Sequence, residues 1–188
     1  MSKSPKKTLF AFERNSLQSV TELLIGLISD THDRLSMVDK AVKMLNDENV
    51  ELVLHAGDYV SPFVVPRFKG LKARLVGVFG NNDGDHELLR RRFSENKRLE
   101  IRGDFAKLDV DGVKIVLLHG GDEELLSALI DSGAFDVVVH GHAHEAKFYR
   151  KGKTLVVNPG EACGYLTGKS TIALLDTKRL EVRMLELC

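Results

Sequence analysis

A carboxylate and an imidazole two positions apart, Asp30-Thr31-His32, close an apolar run that begins at Leu23. Residues two apart at the end of a strand project to the same side, so this pair can grip one metal ion through an oxygen and a nitrogen. Alone, the pair has a plainer explanation, with Asp30 capping the next helix and His32 exposed. The same kind of ending recurs along the chain, however. Leu52 to His55 runs into Ala56-Gly57-Asp58, and Leu75 to Phe79 runs into Gly80-Asn81-Asn82-Asp83. Val113 to Leu118 ends in His119-Gly120-Gly121, and Val137 to Val139 ends in His140-Gly141-His142-Ala143-His144. Chance accounts for one or two such endings but not comfortably for five, most of them beside glycines that let the backbone turn tightly. The set suggests two divalent ions sharing a carboxylate, and Asp58 is suited to bridge because one of its oxygens can face both. Two divalent cations against Asp30 and Asp58 leave a formal surplus of two positive charges, or one after a bridging hydroxide, which matches an anionic phosphoester. Metals about 3.5 to 4 Å apart lower the pKa of a shared water and clamp phosphate oxygens during in-line attack.

The elements that must position these residues alternate. Apolar residues at Leu35, Val38, Ala41, Val42 and Leu45 have helical spacing, Glu51 to Leu54 is a short strand, and Pro62 starts a helix that stops at Gly70. Ala73 to Phe79 is the next strand and His86 to Phe93 a charged helix with Leu88, Leu89 and Phe93 inside. The order β-α-β-α-β-α implies parallel strands with right-handed crossovers, and therefore functional groups at the carboxyl ends of strands. The second half is richer in hairpins. Asp111-Gly112 joins Phe105–Val110 to Val113–Leu118; one helix follows near Glu123 to Ile130. Strands are then expected at Val137–Val139, Ala146–Tyr149, Thr154–Val157, Ser170–Leu175 and Leu180–Leu187. A parallel half meeting a hairpin-rich half predicts an α/β fold of two packed sheets with helices outside.

A chain of 188 residues with 43% hydrophobic content fits one domain with its own core. Lys+Arg and Asp+Glu both number 27, so no basic excess points to duplex nucleic acid or a membrane surface. Cys163 and Cys188 make no disulfide framework, no apolar run approaches the length of a membrane span, and Cys188 lacks the trailing residues of a prenylation signal. The expectation is a cytoplasmic protein with free thiols; a homo-oligomer is compatible with it. Residues 1–24 read as an amino-terminal extension without assigned chemistry, and 25–188 as the domain.

In order and approximate spacing, Asp30-x-His32, Gly57-Asp58, Gly80-Asn81, His119-Gly120 and Gly141-His142-x-His144 resemble the calcineurin-like metallophosphoesterases. The ending Asn158-Pro159-Gly160-Glu161, with Gly164-Tyr165 and Gly168 after it, is similar to the small single-domain YfcE-type branch, which includes archaeal phosphodiesterases. The resemblance spans about Ile25 to Cys188. It implies a four-layer α-β-β-α sandwich with two mixed β-sheets, the metallo-dependent phosphatase fold. It also implies a two-metal phosphoesterase, more a diesterase than a monoesterase, working with manganese or nickel and in some members iron or zinc, on a small phosphoester substrate. Carried across, one metal takes Asp30, His32, Asp58 and His144, and the second takes Asp58, Asn81, His119 and His142. The chain departs from the family pattern at Asn82, where many members have a histidine oriented by a neighbouring Asp, here Asp83. Asn82 and Asp83 are therefore the candidate catalytic residues, although an amide donates a hydrogen bond but supplies no proton. The competing reading is a non-catalytic interaction scaffold of the same fold, as in the retromer subunit Vps29.

Other polar residues have separate expectations. His55 reads as a core histidine bonded to backbone, His86 as a surface residue that could stand in as an acid, and His140 as structural or supporting. Asp33 is expected to cap the helix from Leu35, with a hydrogen bond to a metal ligand as the alternative, Asn158 and Gly160 to close a strand or line the site, Cys163 to be packed rather than nucleophilic, and Arg90, Arg91 and Arg92 to form a solvated face, with phosphate recognition as the alternative.

Overall fold

The structure, a computed structural model, describes residues 23–188; the amino-terminal segment lies outside the described residues apart from Leu23 and Leu24. In chain order the elements are β1 (Leu24–Ile28), α1 (Leu35–Asp47), β2 (Leu52–His55), a 3-10 turn (Pro62–Val64) leading into α2 (Val65–Phe68), β3 (Arg74–Gly77), α3 (His86–Ser94) and β4 (Leu99–Ile101). Then come β5 (Phe105–Val110), β6 (Val113–Leu118), α4 (Glu123–Asp131), β7 (Val137–Val139), β8 (Ala146–Lys151), β9 (Thr154–Pro159), β10 (Thr171–Asp176) and β11 (Glu181–Glu186).

Two sheets form, in the orders β11-β10-β1-β2-β3-β4 and β5-β6-β7-β9-β8. Both are mixed, as the family resemblance implies, but they do not divide the chain into a parallel and a hairpin half. β10 returns to lie antiparallel beside β1, while β6, β7 and β9 run parallel inside the second sheet. The short β4, which the sequence reading missed, extends the first sheet in parallel with β3. Its three residues are too few to show a period against the charged residues around them.

Strand periodicity builds the layers. Ile25 and Leu27 of β1, Ile115 and Leu117 of β6, Val137 and Val139 of β7, and Ala173 and Leu175 of β10 fill the space between the sheets. The alternate residues face outward: Ile28, Ile172 and Leu174 meet helices α1 to α3, and Val116, Val138 and Val156 meet Ile130 of α4. These strands are buried on both faces, which is why they read as continuous apolar runs rather than as alternation. Burial of each such aliphatic side chain contributes roughly 1.5–3 kcal/mol. The result is a four-layer α-β-β-α sandwich. Helices α3 and α4 are capped by Asp85 and Asp122, each accepting from the backbone N–H three residues on. Helix α1 is not capped by a side chain: Asp33 sits at φ 51°, so its backbone carbonyl, not its carboxylate, accepts from Leu35 N–H, correcting the expected cap.

The strand ends meet closely because glycine permits it. Gly57, with φ +95°, lies where an added Cβ would come within 2.7 Å of Gly80 N. Gly57→Ala is expected to destabilise the fold by at least about 1–3 kcal/mol, through strain at positive φ plus the clash. Urea denaturation should show a lower midpoint with an unchanged slope; an unchanged midpoint would disprove the close approach of these two loops.

Candidate metal centre

Each candidate side chain stands just past the carboxyl end of a strand: Asp30 and His32 after β1, Asp58 after β2, Asn81 and Asn82 after β3, His119 after β6, His142 and His144 after β7. Strand alternation does not aim them. Asp30, His32, Asp58, His142 and His144 all have left-handed backbone, with φ between 41° and 65°. Such conformations cost of order 1–3 kcal/mol each for non-glycine residues and persist only where surroundings over-determine them. Here backbone bonds zip the first two loops together: the amides of Asp30, Thr31, His32 and Asp33 donate to the carbonyls of Gly57, Asp58, Asp58 and Tyr59. The third loop is tied in by Asp83, whose two carboxylate oxygens accept from Val60 N–H at 2.7 Å and Gly80 N–H at 2.8 Å. From the other sheet, His142 N–H donates to Asp30 Oδ2 at 3.2 Å, and Ala162 N–H donates to Ser29 O.

The polar ends then converge in two groups. In one, His32 Nε2 lies 3.8 Å from Asp30 Oδ1 and 3.4 Å from Asp58 Oδ2, and His144 Nε2 lies 3.5 Å from Asp30 Oδ1. In the other, Asn81 Oδ1 lies 2.8 Å from His119 Nε2 and 2.9 Å from His142 Nδ1, the two ring nitrogens are 3.3 Å apart, and Asp58 Oδ2 is 3.4 Å from His119 Nε2. Donors about 2.1 Å from a common ion stand roughly 3.0 to 3.4 Å from one another in octahedral or tetrahedral arrangements. The separations in the two groups, 2.8 to 3.8 Å, bracket that spacing, and Asp58 Oδ2 belongs to both.

The chemistry of the donors fits a cation as well. Asp30 is fully buried; its Oδ2 accepts from His142 N–H, yet among the described residues Oδ1 has no hydrogen-bond partner, and neither has the buried His32 Nε2. A buried acceptor left unpaired costs roughly 1–3 kcal/mol, more when charged. His119 Nδ1 sits 2.8 Å from the Ala56 carbonyl, which only accepts, so in the neutral ring Nε2 turns a lone pair toward Asn81 Oδ1. Acceptors packed against acceptors call for a positive charge between them. The pKa shifts point the same way. The Asp30 carboxylate beside it holds His32 above its ordinary value; burial disfavours charge on His119, but Asp58, with Asp30 and the Ala56 carbonyl, offsets this and raises it too. Burial likewise opposes ionisation of Asp58, yet the His119 imidazole beside it and the two bonds from Asn82 hold the carboxyl well below the usual range.

The remaining candidates fall outside these two groups. Asn82 binds Asp58 twice, its backbone N–H to Oδ1 at 2.9 Å and its side-chain amide to Oδ2 at 2.8 Å. Asp83 is a buried loop tie, its carboxyl raised by burial. His86 is exposed and stacks on Phe79 at 3.9 Å. His140 accepts no ligand-like grouping; its ring contacts Gly141 O at 3.2 Å and burial lowers its pKa. The Asn158 amide donates to Gly141 O at 2.9 Å, supporting the turn that carries His142. Arg90, Arg91 and Arg92 are exposed. Cys163 lies within 4.8 Å of the ligating atoms of His32 and His144, but burial pushes its thiol up to about 12 and it donates to Glu161 Oε2.

Sequence reading missed Glu161. It is fully buried and accepts from His144 Nδ1 at 2.9 Å and from the backbone N–H groups of Tyr165, Leu166 and Thr167. Burial alone would raise its carboxyl, but these donors hold it down at about 2. Its signal in the sequence is its place in Asn158-Pro159-Gly160-Glu161, an acidic residue at the end of β9 just as Asp30 and Asp58 stand at the ends of β1 and β2.

Comparison with known proteins gives a consistent picture. Residues 23–180 match the family model of the calcineurin-like phosphoesterase superfamily domain. Over 159 residues the chain is 45% identical to phosphodiesterase MJ0936 of Methanocaldococcus jannaschii, covering 85% of this chain and 96% of that protein. It superposes with a TM-score of 0.84 on the structure of an archaeal phosphodiesterase, at 44% identity, covering 88% of this chain and all of that one. The Escherichia coli phosphoesterase YfcE shares the fold, with a TM-score of 0.66 at 18% identity over 88% of this chain and 100% of that one.

His55 supplies a test of the packing beneath the site. It is fully buried, its Nδ1 accepts from Gly57 N–H at 3.1 Å, and its ring stacks on Tyr59 at 3.9 Å. Burial lowers its pKa from 6.5 to about 3. Below pH 6.5 the unfolded chain takes up a proton that the fold refuses until about pH 3, so His55 removes stability as pH falls through that window, by up to about 1.4 kcal/mol per unit. His55→Asn keeps an acceptor for Gly57 and should be less stable at pH 7 but lose less on acidification. Denaturation curves at pH 7, 6, 5 and 4 check this, and parallel losses in both proteins would refute it.

Proposed function

The chain belongs to the calcineurin-like phosphoesterase superfamily, and from that premise we propose that it is a metal-dependent phosphodiesterase whose two divalent cations share Asp58. Asp30, His32, Asp58 and His144 would hold one ion, and Asp58, Asn81, His119 and His142 the other. The observation that carries the reading is the buried Asp30 Oδ1, which has no hydrogen-bond partner among the described residues and belongs to a set of ring nitrogens and carboxylate oxygens 3.4 to 3.5 Å apart. When bound, two divalent ions acidify a shared water and neutralise phosphate oxygens. The protein's own part is to supply two carboxylates, four imidazoles and one amide, a set whose charge falls two short of the cations and so favours an anionic substrate. The mix of nitrogen and oxygen donors suits manganese or nickel, and accommodates iron or zinc. A monoanionic diester matches the surplus, and the identity to an archaeal phosphodiesterase supports the same preference. Equal numbers of basic and acidic residues favour a small phosphoester over duplex nucleic acid. Among the described residues no helix is long and apolar enough to cross a membrane, and the two unpaired thiols suit a reducing cytoplasm.

Asn82 and Asp83 complete the proposed catalytic set. The Asn82 amide can donate to a phosphate oxygen but offers no proton to a departing alkoxide, and Asp83 holds the loop that carries it. The scaffold reading has one observation behind it: an apolar groove of about 410 Å³ lined by Pro62, Phe63, Val65, Pro66 and Leu88, with Phe63 77% exposed. No candidate ligand lines that groove. A scaffold function would leave the converging donor set unexplained.

Asp58→Asn is expected to abolish manganese-dependent hydrolysis of bis-p-nitrophenyl phosphate while leaving the circular dichroism spectrum intact. Wild-type turnover in that variant would reject the bridging assignment. Asn82→His should raise activity on alkyl esters more than on aryl esters, since general-acid help is typically worth 10²–10⁴-fold, about 3 to 5 kcal/mol, and matters most for poor leaving groups. Equal gains, or none, on both classes would argue against a missing acid.

A further inference from the structure

Glu161 lies in the loop after β9, and six donor atoms point at its two oxygens: His144 Nδ1, Cys163 Sγ, the amides of Tyr165, Leu166 and Thr167, and Thr167 Oγ1. Burying a carboxylate is costly unless donors surround it, and here they do. The loop does not by itself demand this residue, because three exposed-loop amides can be satisfied by water. What needs a carboxylate is the imidazole. His144 spans two of them, with Nδ1 at 2.9 Å from Glu161 Oε2 and Nε2 at 3.5 Å from Asp30 Oδ1. A proton held on Nδ1 by Glu161 leaves the Nε2 lone pair toward Asp30 and toward the space it shares with His32.

We infer that Glu161 is a positioning residue of the metal centre: it fixes the tautomer and ring orientation of His144, and the same carboxylate ties the Tyr165–Thr167 segment to the rim. The inference rests on the metal-centre reading above. It makes one edge of the site and the adjoining loop a single unit. Tyr165 and Leu166, 59% and 75% exposed, are held beside the centre by the carboxylate that orients His144, and the Arg34 guanidinium stands 5.3 Å from the Tyr165 ring centroid. Glutamine at 161 cannot replace the carboxylate. Whichever way its amide is turned, an NH2 group faces either the His144 ring, which would then carry its proton on Nε2, or the amides of Leu166 and Thr167.

Two measurements on the full chain test this. Long-range proton–nitrogen correlation of the metal-free protein should show His144 protonated on Nδ1, and on Nε2 in a substantial fraction of Glu161→Gln. Calorimetric titration with manganese should show two sites in the wild type, and in Glu161→Gln one of them weakened by about 10- to 100-fold with the other unchanged. Thr167→Val, which removes one contact to Oε1 and leaves the His144 bond, should bind manganese like the wild type. Wild-type affinity at both sites in a folded Glu161→Gln overturns the inference and leaves the metal centre standing; so does an equal loss in Thr167→Val, which would make the effect one of loop structure. A wild type that binds no manganese overturns the metal-centre reading itself. Should Glu161→Gln fail to fold, the wild-type tautomer decides: Nδ1–H supports the inference and Nε2–H overturns it.

Discussion

The structure turns on two buried carboxylates, Asp30 and Asp58, held where the ends of two sheets meet, with more acceptors around them than donors. A protein interior tolerates a carboxylate when hydrogen bonds or opposite charges surround it. Asp58 receives two bonds from Asn82 and has His32 and His119 nearby; Asp30 receives one backbone N–H and keeps its other oxygen free. The raised affinities of His32 and His119 for protons show the sign of the local field. A proton answers part of that demand, and two divalent cations would answer all of it. A centre so arranged is therefore electrostatically incomplete as protein alone, and its stability and its chemistry are linked through whatever positive charge it holds.

Holding that arrangement takes the rest of the fold. The two sheets supply rigidity through aliphatic side chains buried between and outside them, and the strained residues sit where the strands let go. Five of the seven proposed ligands are left-handed, a conformation that side chains with a Cβ avoid. The strain is stored against backbone bonds between loops of different strands, so no loop takes its shape alone. Gly141 shows how tight the fit is: a Cβ there would fall 1.9 Å from Ser29 Oγ and 2.7 Å from Asp30 Oδ2, across the seam between the sheets.

Most of this was legible in the sequence because it depends on residue type and on apolar period. The strand ends announce themselves as apolar runs stopped by Asp, Asn or His, as in β1, β2, β3, β6 and β7, and all of these but β1 have glycine beside the polar residue. The division into sheets was less legible, because which strand pairs with β1 is settled by the return of β10 from 150 residues away, and a local pattern carries no trace of that. The Asp33 cap failed for a related reason: capping chemistry predicts a free loop, whereas Asp33 is held at positive φ by the hydrogen bond its backbone N–H donates to Tyr59 O. Glu161 escaped notice because three of its six donors are backbone amides, which no residue type advertises, and the side-chain donors His144, Cys163 and Thr167 meet it only in the fold.

Position 82 shows where type and geometry part company. By type, asparagine in place of a histidine reads as a loss, the removal of a proton donor. By geometry it is a tether, since both its backbone N–H and its side-chain amide engage Asp58, one on each carboxylate oxygen. An amide NH2 donates without titrating, whereas an imidazole in the same place would gain or lose a positive charge beside the carboxylate near neutral pH. The substitution therefore exchanges a group that can move a proton for one that fixes the carboxylate shared by the two donor groups. An enzyme built this way depends more on charge neutralisation than on leaving-group protonation, and its substrate range should narrow toward esters whose alcohols depart without help.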